Sequence, residues 1–433
     1  MKHDSRGLAV TTDSDSVIRA IDHYAHELVS LGSNSALVRY AADANPGCAM
    51  LQAYAASMFL YSQTTADAKK AAPYLARARE RLGDLTEREQ VFIRAVDAGC
   101  AGDFESALKH YETIADRWPR DMVAAKIAEF HFFETGLAER QLELMRKAAA
   151  ASADISHVLA MHAFALELNG DCERADEVAL QALAIDRDSM WAQHCRAHVF
   201  AGRSLIAEGI NVMEEYAPSW QQYSHYVVSH NWFHLATLYL AELRFDAVRD
   251  AYRKYIWGVT PDAVVEHTDA ILLLWYIELA GGKVDSEWRE IAPHIRAGAR
   301  DHLFPFLNCI YLYALARAGE SKEVEAALAE MERHAEQQSG ELRHIWKEVG
   351  VALAKGSIAF ADGDYDRAAD LLGPVLHDVA CGGGSDEQRG VFIESHLVAL
   401  IRAGRKAEAR RTLTGHIASR PETPLEHRWA SWI

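Results

Sequence analysis

Apolar residues recur at three- and four-residue steps along nearly the whole chain. The segments Met122–Phe133, His157–Leu168 and Phe392–Arg402 show this spacing, which is typical of helices that bury one face. Strand patterns are nearly absent, and abundant alanine with only 10 prolines favours helix interiors joined by short turns. Thr86 and Glu89 form a capping-box pattern, which predicts that a helix begins there. The pattern therefore predicts an all-α protein.

A five-position motif is repeated along this helical pattern. It consists of a glycine, a residue two positions later that is often aromatic, and small or apolar residues three, seven and ten positions beyond that one. Copies begin at Gly102, Gly170, Gly319 and Gly363, and a weaker copy begins at Gly404. A glycine ends one helix in a tight turn, and the following spacing places one face of a second helix against the first. The motif predicts tandem pairs of helices.

Nine turn positions follow from this motif and set the expected repeat length. They are Gly102, Gly136, Gly170, Gly202, Leu243, Gly281, Gly319, Gly363 and Gly404, with spacings of 34, 34, 32, 41, 38, 38, 44 and 41 residues. The segments GDFESALKHYETIADRWP and GDCERADEVALQALAID resemble second helices of tetratricopeptide repeats. We predict one tetratricopeptide-like helical-repeat solenoid over residues 1–433, regular over about 20–215 and degenerate and stretched over about 216–433.

Composition and charge narrow the possible partners and the compartment. The 433 residues carry a net charge of −17, which opposes binding to nucleic acid and to anionic lipid. The first thirty residues are polar, and no apolar run reaches the length of a bilayer span. Six cysteines are scattered without a CxxC pair, as in reducing compartments. We therefore expect a cytoplasmic protein that binds neither nucleic acid nor membrane.

Several longer segments resemble the tetratricopeptide repeat protein 38 family. The likeness rests on WAQHCRAHVFAGRSLIAEGINVM (Trp191–Met213), on SHNWFHLATLYLAELRFDAVRDAYRKYI (Ser229–Ile256), and on GDYDRAADLL followed by GGGSDEQRGVFIESHLVALIRAGR (Gly363–Arg405). Phe233 stands where the family pattern suggests a second tryptophan. The resemblance implies a soluble helical-repeat protein and supplies no activity or cofactor.

Two His-x-x-x-His pairs are the main candidates for chemistry: His194 with His198, and His230 with His234. Each pair places two imidazoles on one face of a helix, which is also the spacing of metal ligands. His162 and His194 both lie eight residues before their predicted turn, so stacked repeats would bring such positions together. Asp269 is the expected carboxylate partner of one imidazole.

Three interpretations of this constellation stay open. The histidines are buried side chains that hydrogen-bond to the backbone or to carboxylates, or they form a small-molecule pocket in which His194, His198, His230 and His234 act as acid and base with Asp269 as orienter. In the third, the four histidines bind zinc or iron; otherwise no cofactor or metal is expected. Asn231 and Trp232 lie beside the histidines and, with His162, are candidate ligand-binding residues.

The run Gly382–Ser385 followed by Arg389 supplies one more candidate. Loop amides and a guanidinium can hold an anion, although the run lacks the strand and the Gly-Lys-Ser/Thr end of a nucleotide-binding loop. The other interpretation is a flexible connection between helices in which Ser385 or Asp386 caps the next helix.

Two functions from different classes follow. The first is a helical-repeat protein with a His-rich polar pocket for a small molecule, with or without catalysis. The second is an adaptor that binds a peptide or protein on the concave face of its repeats. A homo-oligomer is compatible with both.

Overall fold

The computed structural model describes residues 1–418 and 421–433 and is helical almost throughout. Two short strands, Lys2–His3 and Ala9–Val10, pair antiparallel near the amino terminus, with Lys2 opposite Val10. The α-helices are Asp15–Ser30, Val38–Ala44, Ala49–Ser57, Thr65–Ala68, Ala72–Arg79, Glu87–Cys100, Phe104–Arg117, Met122–Thr135, Ala138–Ala151, Ser156–Glu167, Cys172–Ile185, Met190–Gly202, Ile206–Tyr216, His225–Ala241, Phe245–Ala251, Val264–Leu279, Asp285–Ile295, Pro305–Arg317, Ser321–Gln337, Gly340–Arg343, Val351–Ala361, Tyr365–Leu372, Asp386–Arg402, Lys406–Ile417 and Pro424–Trp432. The predicted all-α, tetratricopeptide-like repeat fold is confirmed.

The chain divides into two compact units. The first unit contains residues 1–133, 137–196 and 219–227, and the second contains residues 134–136, 197–218 and 228–433. In the first unit, the ring of Tyr54 packs against Tyr24 and Phe92 with centroid distances of 4.9 and 5.2 Å. In the second, Trp275 stacks on Tyr313 at 3.5 Å. Each unit therefore has its own aromatic core.

The helix turns use one hydrogen-bonding arrangement many times. At Gly170, with φ of +79°, the glycine N–H donates to the carbonyl of Glu167 and the next N–H, of Asp171, donates to the carbonyl of Leu166. This is the left-handed cap in which two otherwise unpaired helix carbonyls are satisfied. The same pair of bonds is found at six further predicted turns: Gly102, Leu243, Gly281, Gly319, Gly363 and Gly404.

One predicted turn position is wrong. Gly202 is the last residue of its helix, and the left-handed residue is Ser204, with φ of +52°. The N–H groups of Ser204 and Leu205 donate to the carbonyls of Ala201 and Phe200, as in the glycine turns. Ser204 lies 34 residues after Gly170, so the turn keeps the regular repeat length although the residue is not glycine.

Extra residues in the second half form short 3₁₀ and π segments between the paired helices. The 3₁₀ segments are Ala217–Gln222, Gly298–Arg300 and Gly373–Gly382, and the π segments are Tyr252–Ile256 and His344–Gly350. These insertions account for the longer spacing of the turns. The stretching predicted for the second half is thus present as additional turns of tighter or wider helix.

Helix ends and burial follow the local sequence. Thr86 caps Glu87–Cys100 with Glu89 in a complete capping box, as predicted. Phe104–Arg117 buries one face only, whereas Val264–Leu279 is buried on nearly all sides.

The six cysteines are free thiols. Within the described residues, no helix has both the length and the apolar content needed to cross a bilayer.

Candidate functional site

Four helices carry the side chains of the candidate site, and all five of these residues belong to the second unit. His198 lies on Met190–Gly202, beyond the unit boundary at residue 197, and His230 and His234 lie one turn apart on His225–Ala241. Asp269 lies on Val264–Leu279, and Glu387 lies in the first turn of Asp386–Arg402. We call these five residues, His198, His230, His234, Asp269 and Glu387, the histidine site.

Close packing holds these helices together. Gly209 allows its helix to approach Phe200 and Leu238, since a Cβ atom at Gly209 would lie 2.7 Å from Phe200 Cβ and 3.1 Å from Leu238 Cδ1. Trp275 meets Phe392 edge-on at 5.7 Å, and the hydroxyl of Tyr276 donates to the carbonyl of Glu387. The helices that carry the histidines and the carboxylates are thereby fixed by apolar contacts and a hydrogen bond outside the histidine site.

One end of the histidine site is a buried carboxylate with two partners. Asp269 has 0% of its surface exposed. Its Oδ1 lies 2.7 Å from Nδ1 of His230, and its Oδ2 accepts a hydrogen bond of 3.1 Å from Ser229 Oγ. A carboxylate can only accept, so Nδ1 of His230 is the donor and carries a proton. Asp269 therefore fixes both the orientation and the tautomer of His230.

The contacts continue from His230 to the other two imidazoles. Nε2 of His234 lies 3.2 Å from Nε2 of His230, and the His234 ring lies 4.4 Å from the His198 ring by centroid distance. Nδ1 of His198 is in turn paired with Oε2 of Glu387. The three imidazoles thus lie between two carboxylates, Asp269 at one end and Glu387 at the other.

The protonation of the central imidazole follows from its surroundings. Burial, and after it the nearby His198 and His230, hold the pKa of His234 well below its usual value, so this ring is neutral. Nε2 of His234 and Nε2 of His230 share a hydrogen bond, and with the His230 proton on Nδ1, Nε2 of His230 can accept it. A carboxylate beside Nδ1 of His198 favours a proton on that nitrogen as well.

Two of the predicted site residues lie in the first unit. His194 precedes His198 by one turn, stacks on Trp191 with a centroid distance of 4.2 Å, and meets the edge of Phe164 at 5.1 Å. His162 is partly buried, and burial together with Arg174 and Arg146 lowers its pKa. Their predicted catalytic and ligand-binding roles stay predictions.

The remaining candidates lie in the second unit. Asn231 is buried between the two histidines of its helix. Trp232 stacks on Tyr255 at 3.9 Å, and its predicted role in ligand binding stays a prediction. Arg389 donates to the carbonyl of Gly384 and pairs with Asp386, and Ser385 caps the following helix in a capping box with Gln388. The helix cap is confirmed, and ligand binding by Arg389 stays a prediction.

Sequence reasoning missed Glu387 and Ser229. Ser229 is adjacent to His230, but no spacing rule ties a serine at that position to an aspartate forty residues later. Glu387 is preceded by the Gly382–Ser385 run, which did mark this region as unusual. The available signal for Glu387 was its position in the first turn of a capped helix. That signal is weak, because acidic residues are common there for structural reasons.

In the comparison with known proteins, no family model matches the chain. Among solved structures it is similar to the human IFIT1 dimer with m7Gppp-AAAA, at 13% identity over 99% of this chain and 94% of that chain, with a TM-score of 0.46. It is also similar to a monomeric IFIT1 mutant with Gppp-AAAA, at 12% identity over 99% and 97% of the two chains, with a TM-score of 0.46. The TPR domain of P58(IPK) shares 12% identity over 80% of this chain and 97% of that chain, with a TM-score of 0.21. At these scores, the ligands of those proteins have no bearing on this one.

Proposed function

We propose that this protein binds a small polar molecule at the histidine site and that His230 and His234 transfer a proton there. The observation that carries the proposal is the hydrogen-bonded series from Ser229 Oγ through Asp269 and His230 to His234, with distances of 3.1, 2.7 and 3.2 Å. A buried carboxylate that orients an imidazole through Nδ1 directs its Nε2 toward the group with which it exchanges a proton, here Nε2 of His234.

The electrostatics of the site indicate the chemistry of its ligand. Asp269 and Glu387 place negative charge at both ends, and His234 contributes none. Hydroxyl and amine groups can donate to the imidazole and carboxylate acceptors, whereas an anion would be repelled by the carboxylates. We infer a neutral or cationic molecule with hydroxyl or amine groups. His162, His194, Asn231, Trp232 and Arg389 remain proposed contributors.

The wider classification is also a proposal. We infer that the chain belongs to the tetratricopeptide repeat protein 38 family, supported by the segments Trp191–Met213 and Ser229–Ile256. Both segments carry histidines of the histidine site. An adaptor that binds a peptide on its repeats is the rival function, and it predicts that replacing a buried imidazole leaves partner binding unchanged.

A thermal-shift experiment separates the two functions. Metal-free protein is heated with each of a panel of small compounds, comprising ethanolamine, glycerol, short diols and primary amines, alongside variants Asp269→Asn and His230→Gln. The control is His427→Gln, since His427 also pairs with a carboxylate, Glu422, but is 66% exposed. We expect at least one hydroxyl or amine compound to raise the melting temperature of the wild type and the control.

Both site variants should lose this response while keeping a helical circular-dichroism spectrum. Asp269→Asn keeps the shape of the side chain, so it preserves the packing while removing the charge that sets the His230 tautomer. An equal response in all four proteins, or no response to any compound in the wild type, would refute the proposed small-molecule site and favour the adaptor.

A further inference from the structure

Three imidazole nitrogens of the second unit converge on one point. His198, His230 and His234 each offer a ring nitrogen, and these nitrogens lie within 4.8 Å of one another. The two Nε2 atoms of His230 and His234 are 3.2 Å apart. Two nitrogen ligands at 2.0–2.1 Å from a tetrahedral zinc ion lie about 3.3 Å apart. The observed separation fits two ligands of one ion as well as it fits a hydrogen bond.

The carboxylates are arranged as outer partners of metal ligands. Metal-binding histidines usually donate their other ring N–H to a carboxylate or carbonyl, which fixes the ring and raises its basicity. His230 has this relation to Asp269, and His198 is paired with Glu387, in both cases through Nδ1. In His230 the other ring nitrogen, Nε2, is the one that lies 3.2 Å from Nε2 of His234. Neither carboxylate needs to be a direct ligand.

Charge balance favours a cation at the same point. Asp269 is fully buried, and the Glu387 side chain is 13% exposed. Buried carboxylates are unfavourable without positive charge nearby. A divalent ion bound to the three imidazoles would supply that charge.

We infer that His198, His230 and His234 form a zinc-type metal site, with Asp269 and Glu387 as the outer partners that orient two of the ligands. Three imidazoles suit zinc and related transition metals and do not suit magnesium or calcium, which prefer oxygen. The inference deepens the proposed function and rests on it for the location of the ligand site. The sequence-based prediction of His194 as a fourth ligand stays a prediction.

The metal site is tested with zinc alone. Protein stripped with chelator is titrated with ZnCl₂ by calorimetry, and the zinc retained after gel filtration is measured by elemental analysis. We expect one zinc per chain and a rise in melting temperature. His230→Ala and His234→Ala should lose stoichiometric binding, and Asp269→Asn and Glu387→Gln should bind about 10–100-fold more weakly. Bound Co²⁺ should show a tetrahedral visible spectrum in the wild type and not in His230→Ala or His234→Ala.

A variant of an exposed histidine serves as the control that distinguishes zinc bound at the proposed site from zinc bound adventitiously at the surface. His344 and His377 both contact Oδ2 of Asp378, at 3.3 and 3.2 Å, and their side chains are 51% and 74% exposed. His377→Ala should therefore keep the stoichiometric zinc. Loss of zinc in His377→Ala, or equal binding by the wild type and His234→Ala, would overturn the inference. If His234→Ala does not fold, equal zinc affinity in Asp269→Asn, Glu387→Gln and wild type would overturn it instead.

The two proposals fail separately because the small-molecule test uses metal-free protein. Zinc binding without any response to hydroxyl or amine compounds would leave the metal site standing and refute the proposed function. A response to those compounds without stoichiometric zinc would refute the metal site alone.

Discussion

Replacing Gly383 with alanine is expected to destabilise the second unit by about 3 kcal/mol or more. Gly383 has φ of +90° and ψ of −177°, a backbone conformation that is essentially restricted to glycine. A Cβ atom at this position would also lie 2.3 Å from the backbone carbonyl oxygen of Glu134. Backbone atoms cannot move aside as a flexible side chain can, so the loop itself would have to shift.

Gly363→Ala is the matched control for this prediction. Gly363 also has a positive φ, +80°, but a Cβ atom there would meet nothing within 4 Å. Only the conformational cost of about 1–2 kcal/mol is expected for that variant. Urea denaturation followed by circular dichroism measures both changes. Similar losses in the two variants would show that the contact with Glu134 contributes little.

The glycine loop also bears on the histidine site. Four residues after Gly383, Glu387 pairs with His198, and the intervening Ser385 caps the helix. A loop displaced by Gly383→Ala is expected to shift this helix start. The variant should then also bind zinc more weakly if the metal site is present, whereas Gly363→Ala should not.

The repeat architecture was largely predictable because its signals are local. A glycine followed by a fixed apolar spacing reports a turn and the helix after it, and Gly102 and Gly170 form the predicted turns. Gly202 failed because hydrogen bonds and packing can impose the left-handed conformation on another residue, here Ser204. The 3₁₀ and π segments of the second half were foreseen only as extra length, since their conformation depends on tertiary packing.

The histidine site was predictable only in part for the same reason. The four-residue spacing of His230 and His234 places them on one helix face regardless of the rest of the fold. Pairing with Asp269 required neighbouring repeats to align, which the repeat pattern supports. Glu387 is 189 residues from His198, and no periodic signal spans the stretched repeats between them. The loop instead suggested Arg389, whose guanidinium is held by Gly384 and Asp386.

Acid should destabilise the first unit through His131, a histidine outside the histidine site. This side chain is 1% exposed and packs against Phe104 at a centroid distance of 5.0 Å and Tyr111 at 6.1 Å. Gly99 leaves space for the ring, because a Cβ atom there would lie 3.0 Å from Nε2 of His131. Burial lowers the pKa of His131 to about 3, and burial also raises the pKa of Tyr111 well above its usual value, so both rings are neutral.

The pH dependence follows from the proton that only the unfolded chain binds. An unfolded histidine has a pKa of about 6.5, so below that pH the unfolded state gains a proton that folded His131 does not accept. The free energy of unfolding should fall by about 1.4 kcal/mol per pH unit from 6.5 down towards 3, and this contribution is constant above 6.5. His131→Leu removes the group and should remove this slope.

The measurement compares urea denaturation of the wild type, His131→Leu and His23→Leu between pH 7 and 4.5. His23 is exposed on the helix Asp15–Ser30, so its replacement serves as the control and should leave the wild-type slope nearly unchanged. Relative to the wild type, His131→Leu should gain roughly 3 kcal/mol of stability between pH 6.5 and 4.5, whatever the substitution costs at neutral pH. Because the comparison uses the change with pH, a constant packing penalty cancels. Parallel stability curves for the wild type and His131→Leu would mean that folded His131 accepts a proton, which its apolar surroundings oppose.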